Sequence, residues 1–309
     1  NILFCTDGSI WANAAERLLT RLPLPEAATI TVLAIIPDDN PFAMPERAHD
    51  DTQKAALEAL RQTAHAIAEE QVASHAANLL RTGCSVKRRI AVGDVPETIL
   101  QTAQTERVDL IVMGTLGTRA KGRIPLGSTA RRVVKHAHCS VLLARPPDYH
   151  AEKNSASDPE EALEVLLGFD GSAPAKAAVD LLASLPLGDR ARITLLSVLL
   201  VGTTLYRRDI QERLSDAWRE YRQRSSEELE VAARTLRQAA EDVEPRLVDG
   251  GGNATDELLE AIELLNADLV VVGHAGKTGI RRFLLGSVSG HLVEHAPCSV
   301  LVVRAPDSQ

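Results

Sequence analysis

Aromatic residues are scarce in this chain: they make up 3% of its 309 residues, with two tryptophans, three tyrosines and four phenylalanines. So few stacking platforms argue against recognition of single-stranded nucleic acid, which lays successive bases on aromatic rings. A basic excess is missing as well. Thirty-four Lys and Arg stand against 42 Asp and Glu, a formal charge of −8, and that sign opposes the phosphate-neutralising field that sequence-independent nucleic-acid binding needs. No apolar run approaches the roughly 20 residues that span a bilayer. The opening Asn1-Ile2-Leu3-Phe4 predicts a strand rather than a signal region. The expectation is a soluble cytoplasmic protein with neither nucleic acid nor membrane as a partner. Cysteine is rare too, and the four present match no disulfide framework and no CxxC zinc or redox spacing.

What the chain does contain is a duplication. Gly114, Gly117, Gly127 and Ser128 recur with the same spacing as Gly273, Gly276, Gly286 and Ser287, at an offset of 159. The offset extends to Asp109-Leu110-Ile111-Val112 against Asp268-Leu269-Val270-Val271, and to Cys139-Ser140-Val141-Leu142 against Cys298-Ser299-Val300-Leu301. Nearer the start, Asp7-Gly8-Ser9 answers Asp170-Gly171-Ser172 at an offset of 163. Each copy has the length of an ordinary domain with its own core. This divides the chain into a first domain at 1–147, a linker at 148–161 and a second domain at 162–309. Between Arg145 and Pro159 the chain is polar, contains prolines and shows no apolar period, which reads as an exposed connector. Cys139 and Cys298 begin the last strand of each half, where a small buried apolar side chain is expected.

Within the first half, short apolar runs predict strands at 3–6, 30–36, 86–92, 110–113 and 141–144. Helical spacing from Ala12 to Leu19, a long Ala- and Glu-rich stretch at 50–80 stopped by Gly83, a segment at 96–105 and a start near Gly127 predict four helices. The second half repeats this order with strands at 165–169, 193–198, 246–248, 269–272 and 300–303, and a long charged helix at 207–240. Five strands alternating with four helices predict right-handed βαβ crossovers and an α/β fold: two tandem, doubly wound parallel-sheet domains. Ligands of such sheets gather at the carboxyl ends of the strands, where the chain order reverses. Asp7, after strand one, and Gly114, at the end of strand four, belong to that edge.

The repeated loop has a chemistry that its residues suggest. Gly114 and Gly117 follow a strand, where a residue without Cβ lets backbone and ligand approach. Gly127-Ser128 then opens a helix, whose first amide N–H groups lack intrahelical partners and carry the positive end of the dipole. Such a terminus binds anions, and phosphate is the natural ligand. Arg119, Lys121 and Arg123 in the first loop, and Lys277, Arg281 and Arg282 in the second, place cations within reach of it. The spacing is neither GxxxxGK[ST] nor a GxGxxG after the first strand. For Asp7 and Asp170 the residues alone also suit a helix cap or Asx turn.

With these residues in view, the chain resembles the universal stress proteins, specifically their tandem two-domain members. The family's ATP-binding pattern, G-x2-G-x9-G-[ST], reads in full as Gly114, Gly117, Gly127, Ser128 and again as Gly273, Gly276, Gly286, Ser287. The likeness covers nearly the whole chain. It implies Rossmann-like domains of the adenine nucleotide alpha hydrolase-like type, and ATP, AMP or ADP as ligand, with or without Mg²⁺. It further implies that Asp7 with Ile35, and Asp170 with Val198, hold the adenosine end, and that Met113-Gly114 and Val272-Gly273 line base and ribose. Phosphate contacts would fall on Gly127, Ser128 and Thr129, and on Gly286, Ser287 and Val288. Copy one departs from the pattern at Thr129, where the family has an apolar residue, and carries Pro125 inside the loop. The second site is therefore the one expected to be occupied. Single-domain relatives pair through their last strands, which implies an internal pseudo-dimer here, with a further homodimer compatible and the protein partner unnamed.

Catalytic residues are not apparent. No Ser-His-Asp or Cys-His arrangement, carboxylate pair or Walker-type aspartate accompanies either loop. His291 and His295 share a helix face with Glu294 between them, but two ligands fall short of a metal site, and none is expected. The readings that stand are a nucleotide-binding regulatory protein of the stress response, a slow ATPase, and a nucleotide-free scaffold with degenerate loops.

Overall fold

The computed structural model of the chain describes residues 1–38, 51–118, 126–146, 161–200, 208–250, 253–276 and 285–305. The connector and the loop residues Arg119, Lys121, Arg123, Pro125, Lys277, Arg281 and Arg282 lie outside them. Contacts divide the chain into two compact units, Asn1–Pro146 and Pro147–Gln309.

Unit 1 runs β1 (Ile2–Thr6), α1 (Ile10–Arg21), β2 (Thr29–Pro37), α2 (Asp51–Leu79), a 3-10 turn, β3 (Ser85–Gly93), α3 (Val95–Thr105), β4 (Leu110–Gly114), α4 (Ser128–His136) and β5 (Ser140–Ala144). Its strands are parallel and ordered β3-β2-β1-β4-β5. The β1 and β5 strands are buried along their whole length, which is why they read as unbroken apolar runs rather than alternating ones. The chain winds outward from β1 in one direction and resumes at β4 in the other. The crevice between the carboxyl ends of these two strands is the switch point of the sheet.

Unit 2 follows the same plan: β6 (Leu163–Gly168), α5 (Ala173–Ala183), β7 (Gly188–Leu200), α6 (Arg208–Leu236), β8 (Ala240–Gly250), α7 (Ala254–Leu265), β9 (Leu269–Gly273), α8 (Ser287–His295) and β10 (Ser299–Val303). Its parallel order is β8-β7-β6-β9-β10. The doubly wound architecture expected of both halves is therefore present. Three bounds differ from expectation by more than two residues, and one of them is the start of β7, at Gly188 instead of Ile193. The long helix ends at Leu236 instead of reaching Ala240, and Ala240 opens β8, which is far longer than the expected 246–248. Charges and Pro245 hide this strand in the sequence, but its pairing with β7 from Arg192 to Leu200 overrides local preference.

Helix starts divide into two kinds. Side chains of Ser9, Asp94, Ser172 and Asn253 accept backbone N–H bonds and cap α1, α3, α5 and α7, a device worth about 1 kcal/mol each. Both α4 and α8 instead begin at glycines, Gly127 and Gly286, with no side-chain cap bond. Cys139 and Cys298 are buried as their positions predict, as are Cys5 and Cys84. Burial, with Cys139 adding to it, pushes the Cys5 thiol far up, so Cys5 is an apolar core residue and not a nucleophile. His75 forms a contact invisible in the sequence: buried on α2, it meets Glu16 of α1, whose other oxygen accepts from Asn78 at 3.0 Å. Among the described residues no helix is long and apolar enough to cross a membrane.

Candidate functional site

In unit 2, β6 ends at Gly168 and the chain turns through Phe169-Asp170-Gly171-Ser172. Gly171 adopts φ +74°, which a glycine takes without strain. One Asp170 oxygen accepts the Ser172 N–H at 2.9 Å, so the Asx turn read from the sequence is present. The Ser172 hydroxyl oxygen in turn accepts from Ala175 and starts α5. The other Asp170 oxygen reaches toward the loop after β9, where a Cβ on Gly276 would stand 2.9 Å from it. Gly273 has a packing duty, because a Cβ there would stand 2.7 Å from the Cβ of Pro174 and 2.9 Å from the Ala175 nitrogen. The first glycine of the loop thus admits the start of α5, and the second admits the carboxylate.

The loop closes onto α8 through two bonds. Gly286 N–H donates to the His274 carbonyl at 2.7 Å, and the buried Ser289 hydroxyl sits 2.9 Å from that same oxygen. Ser289 escaped sequence reasoning because copy one has Ala130 in its place and the repeat shows only what both copies share. The His274 ring plays no part in this closure. Burial, then the nearby Arg304 cation, hold its pKa below the ordinary imidazole range, although the Val303 backbone works the other way.

A cavity of about 950 Å³ occupies this edge of the sheet, within the range of about 300–1,000 Å³ usual for small-molecule sites. Asp170, Val198, Val272, Gly273, Gly276, Gly286, Ser287 and Val288 all line it, so every candidate of the second copy faces one space. Val198 is half-buried in an otherwise buried strand segment, and Ser287 is exposed at the mouth of its helix. Helix α6 adds Tyr221, Ser225 and Glu228 to the wall. None of these three was legible from the motif.

Unit 1 builds the same turn with different neighbours. Asp7 accepts the Ser9 N–H at 3.1 Å through one oxygen and the Thr118 N–H at 2.9 Å through the other. A Cβ on Gly117 would stand 2.7 Å from that second oxygen, and one on Gly114 would stand 2.5 Å from the Cβ of Trp11. Gly127 N–H donates to the Thr115 carbonyl at 2.9 Å, and Ser128 and Thr129 follow it into α4. Ile35 is half-buried at the end of β2, and Met113 is buried in β4. The difference lies on α2. The carboxamide of Gln71 packs directly on Gly8 and donates to the Asp7 carbonyl at 3.4 Å, covering the turn. The position corresponding to it on α6 is Glu228, which lines the open cavity of unit 2.

His291 and His295 do share a helix face, with ring centroids 4.2 Å apart. Among the described residues no group of three or more His, Cys, Asp or Glu could hold a metal ion.

Comparison with known proteins gives this geometry a family. A universal stress protein of Methanocaldococcus jannaschii is 45% identical over 58 residues, 19% of this chain and 34% of that protein. A Staphylococcus aureus protein assigned to the universal stress proteins is 32% identical over 148 residues, 46% of this chain and 84% of that protein. Among solved structures, a universal stress protein from Archaeoglobus fulgidus shares 17% identity, covers 100% of this chain and 97% of its own, and superposes with a TM-score of 0.62. A functionally unknown protein from Pseudomonas aeruginosa shares 18%, covers 99% and 92%, and gives 0.61. At these identities the two structures speak for the fold alone. The family model described as "Universal stress protein family" matches residues 1–145 and again 163–304. The chain therefore belongs to the universal stress protein family, as a tandem member with two copies of the domain.

Proposed function

We propose that unit 2 binds an adenine nucleotide, with its phosphates on the uncapped start of α8 and its adenosine end toward Asp170, Val198 and Val272. The observation that carries this reading is the cavity that collects all eight second-copy candidates and ends on a helix without a side-chain cap. The first N–H groups of α8, those of Ser287 and Val288, stand at the positive end of a helix dipole and suit a phosphate, with the Ser287 hydroxyl as a further donor. Asp170 suits a ribose hydroxyl, and the apolar strand ends suit a base. The reading gives Mg²⁺ no cluster of protein ligands of its own among the described residues, so the cation would arrive on the phosphates. Binding, and a resulting bias in conformation or partner choice under stress, is the function proposed; turnover is not. Unit 1 is the weaker site in this reading, because Gln71 covers its turn.

The test is to denature the purified chain and separate what it releases, alongside titration of the nucleotide-stripped protein with ATP and AMP. The expected result is one adenine nucleotide per chain, with phosphate release from ATP at background. Neither released nucleotide nor measurable binding would overturn the reading, and phosphate release abolished by Gly286→Ala would replace binding with hydrolysis.

A further inference from the structure

Two of the chain's few aromatic side chains sit together on α6. Trp218 and Tyr221 lie with ring centroids 5.7 Å apart and planes tilted by 48°. Tyr221 lines the unit 2 cavity while remaining 45% exposed. A large ring left half in water on a cavity wall has an unfilled face. Tyr221, Ser225 and Glu228 follow one another at helical spacing on a single face, and at 1.5 Å per residue they extend over about 10 Å, the length of a nucleoside. On α2, which has the same 29-residue length, the positions equally far from the helix start are Ala64, Ala68 and Gln71. Copy one therefore lacks the ring as well as the open turn.

We propose that Tyr221 is the residue that recognises the nucleobase, stacking on its exposed face across from the apolar strand ends Val198 and Val272. This rests on the nucleotide reading of the cavity and deepens it. Electrostatics sets the direction in which the ligand lies. Glu228 puts a carboxylate on the α6 wall and disfavours phosphate there, while the start of α8 attracts it. The base and sugar therefore take the α6 side and the phosphates take the α8 side. Stacking tolerates any base, so Tyr221 supplies affinity for a nucleobase and little discrimination among bases.

The experiment is calorimetric titration of the full chain with ATP and, separately, with inorganic tripolyphosphate, for wild type, Tyr221→Ala and Tyr221→Phe. Tyr221→Ala is expected to weaken ATP about tenfold, the effect of one lost base–aromatic stack. Tyr221→Phe should stay within about twofold of wild type, since the ring and not the hydroxyl does the stacking. Tripolyphosphate should bind all three alike. Equal ATP affinity in wild type and Tyr221→Ala overturns the proposal and leaves the nucleotide reading standing. An equal loss of tripolyphosphate also overturns it, by showing that Tyr221 shapes the cavity rather than meeting a base. No ATP binding by wild type overturns the reading and the proposal together.

Discussion

Gly286→Ala is expected to weaken ATP binding by about tenfold or more, and Gly127→Ala to leave it within about twofold. At φ −63° alanine is backbone-compatible at 286, so the effect arises from contact and not from strain. Its Cβ would stand 3.2 Å from the Cα of Ala275, 3.3 Å from the Ser289 hydroxyl and 3.4 Å from the His274 carbonyl. These are the groups that close the loop onto α8, and two of the three contacts are with backbone. Relief of the crowding shifts the N–H groups of Ser287 and Val288 away from the phosphate. Hydrogen bonds to a charged group contribute about 1.5–3 kcal/mol each, so misaiming one accounts for a tenfold loss. Copy one tolerates its substitution in this assay because the affinity being read belongs to unit 2. Calorimetric titration of both variants checks the ranking, and equal losses would contradict it.

His75→Leu is expected to destabilise unit 1 by about 1–3 kcal/mol, the usual cost of leaving a buried hydrogen-bonding group without its partner. The side chains of His75 and Glu16 are only 6% and 15% exposed, so the carboxylate left behind keeps Asn78 and little water. The double variant Glu16→Leu/His75→Leu should recover much of the loss, since replacing both partners by apolar groups leaves no acceptor buried without its donor. A two-domain chain does not unfold as one two-state system, but each unit holds one tryptophan, Trp11 or Trp218. Single-tryptophan versions can follow the two transitions separately in urea. The Trp11 transition should fall to lower denaturant while the Trp218 transition stays in place. A Trp11 midpoint that hardly moves would show that the pair contributes little.

The parts of this molecule that were legible in its sequence are those that periodicity or repetition exposes. Strands such as Ile2–Thr6 and Ser299–Val303 are buried on both faces and so appear as apolar runs. The glycine loop was legible because it occurs twice. By the same token, whatever differs between the copies was hidden. Gln71 against Glu228, Ala64 against Tyr221 and Ala130 against Ser289 carry the asymmetry of the two sites, and none stands in the motif. The residues around Asp170 suit an Asx turn, which forms, and the same residue lines the cavity where the adenosine end is proposed. Most of edge strand β8 is hidden in the sequence because charges stand on both sides of Pro245, and only pairing with β7 makes these residues a strand.

The central claim, that phosphate sits on the start of α8 in unit 2, is tested most directly by the amide spectrum of nitrogen-15-labelled full chain titrated with ATP. The account predicts that the Ser287, Val288 and Gly276 resonances move with saturation, while Ser128 and Thr129 of unit 1 stay in place. Movement confined to unit 1, or an ATP titration that leaves Ser287 and Val288 where they were, would contradict it.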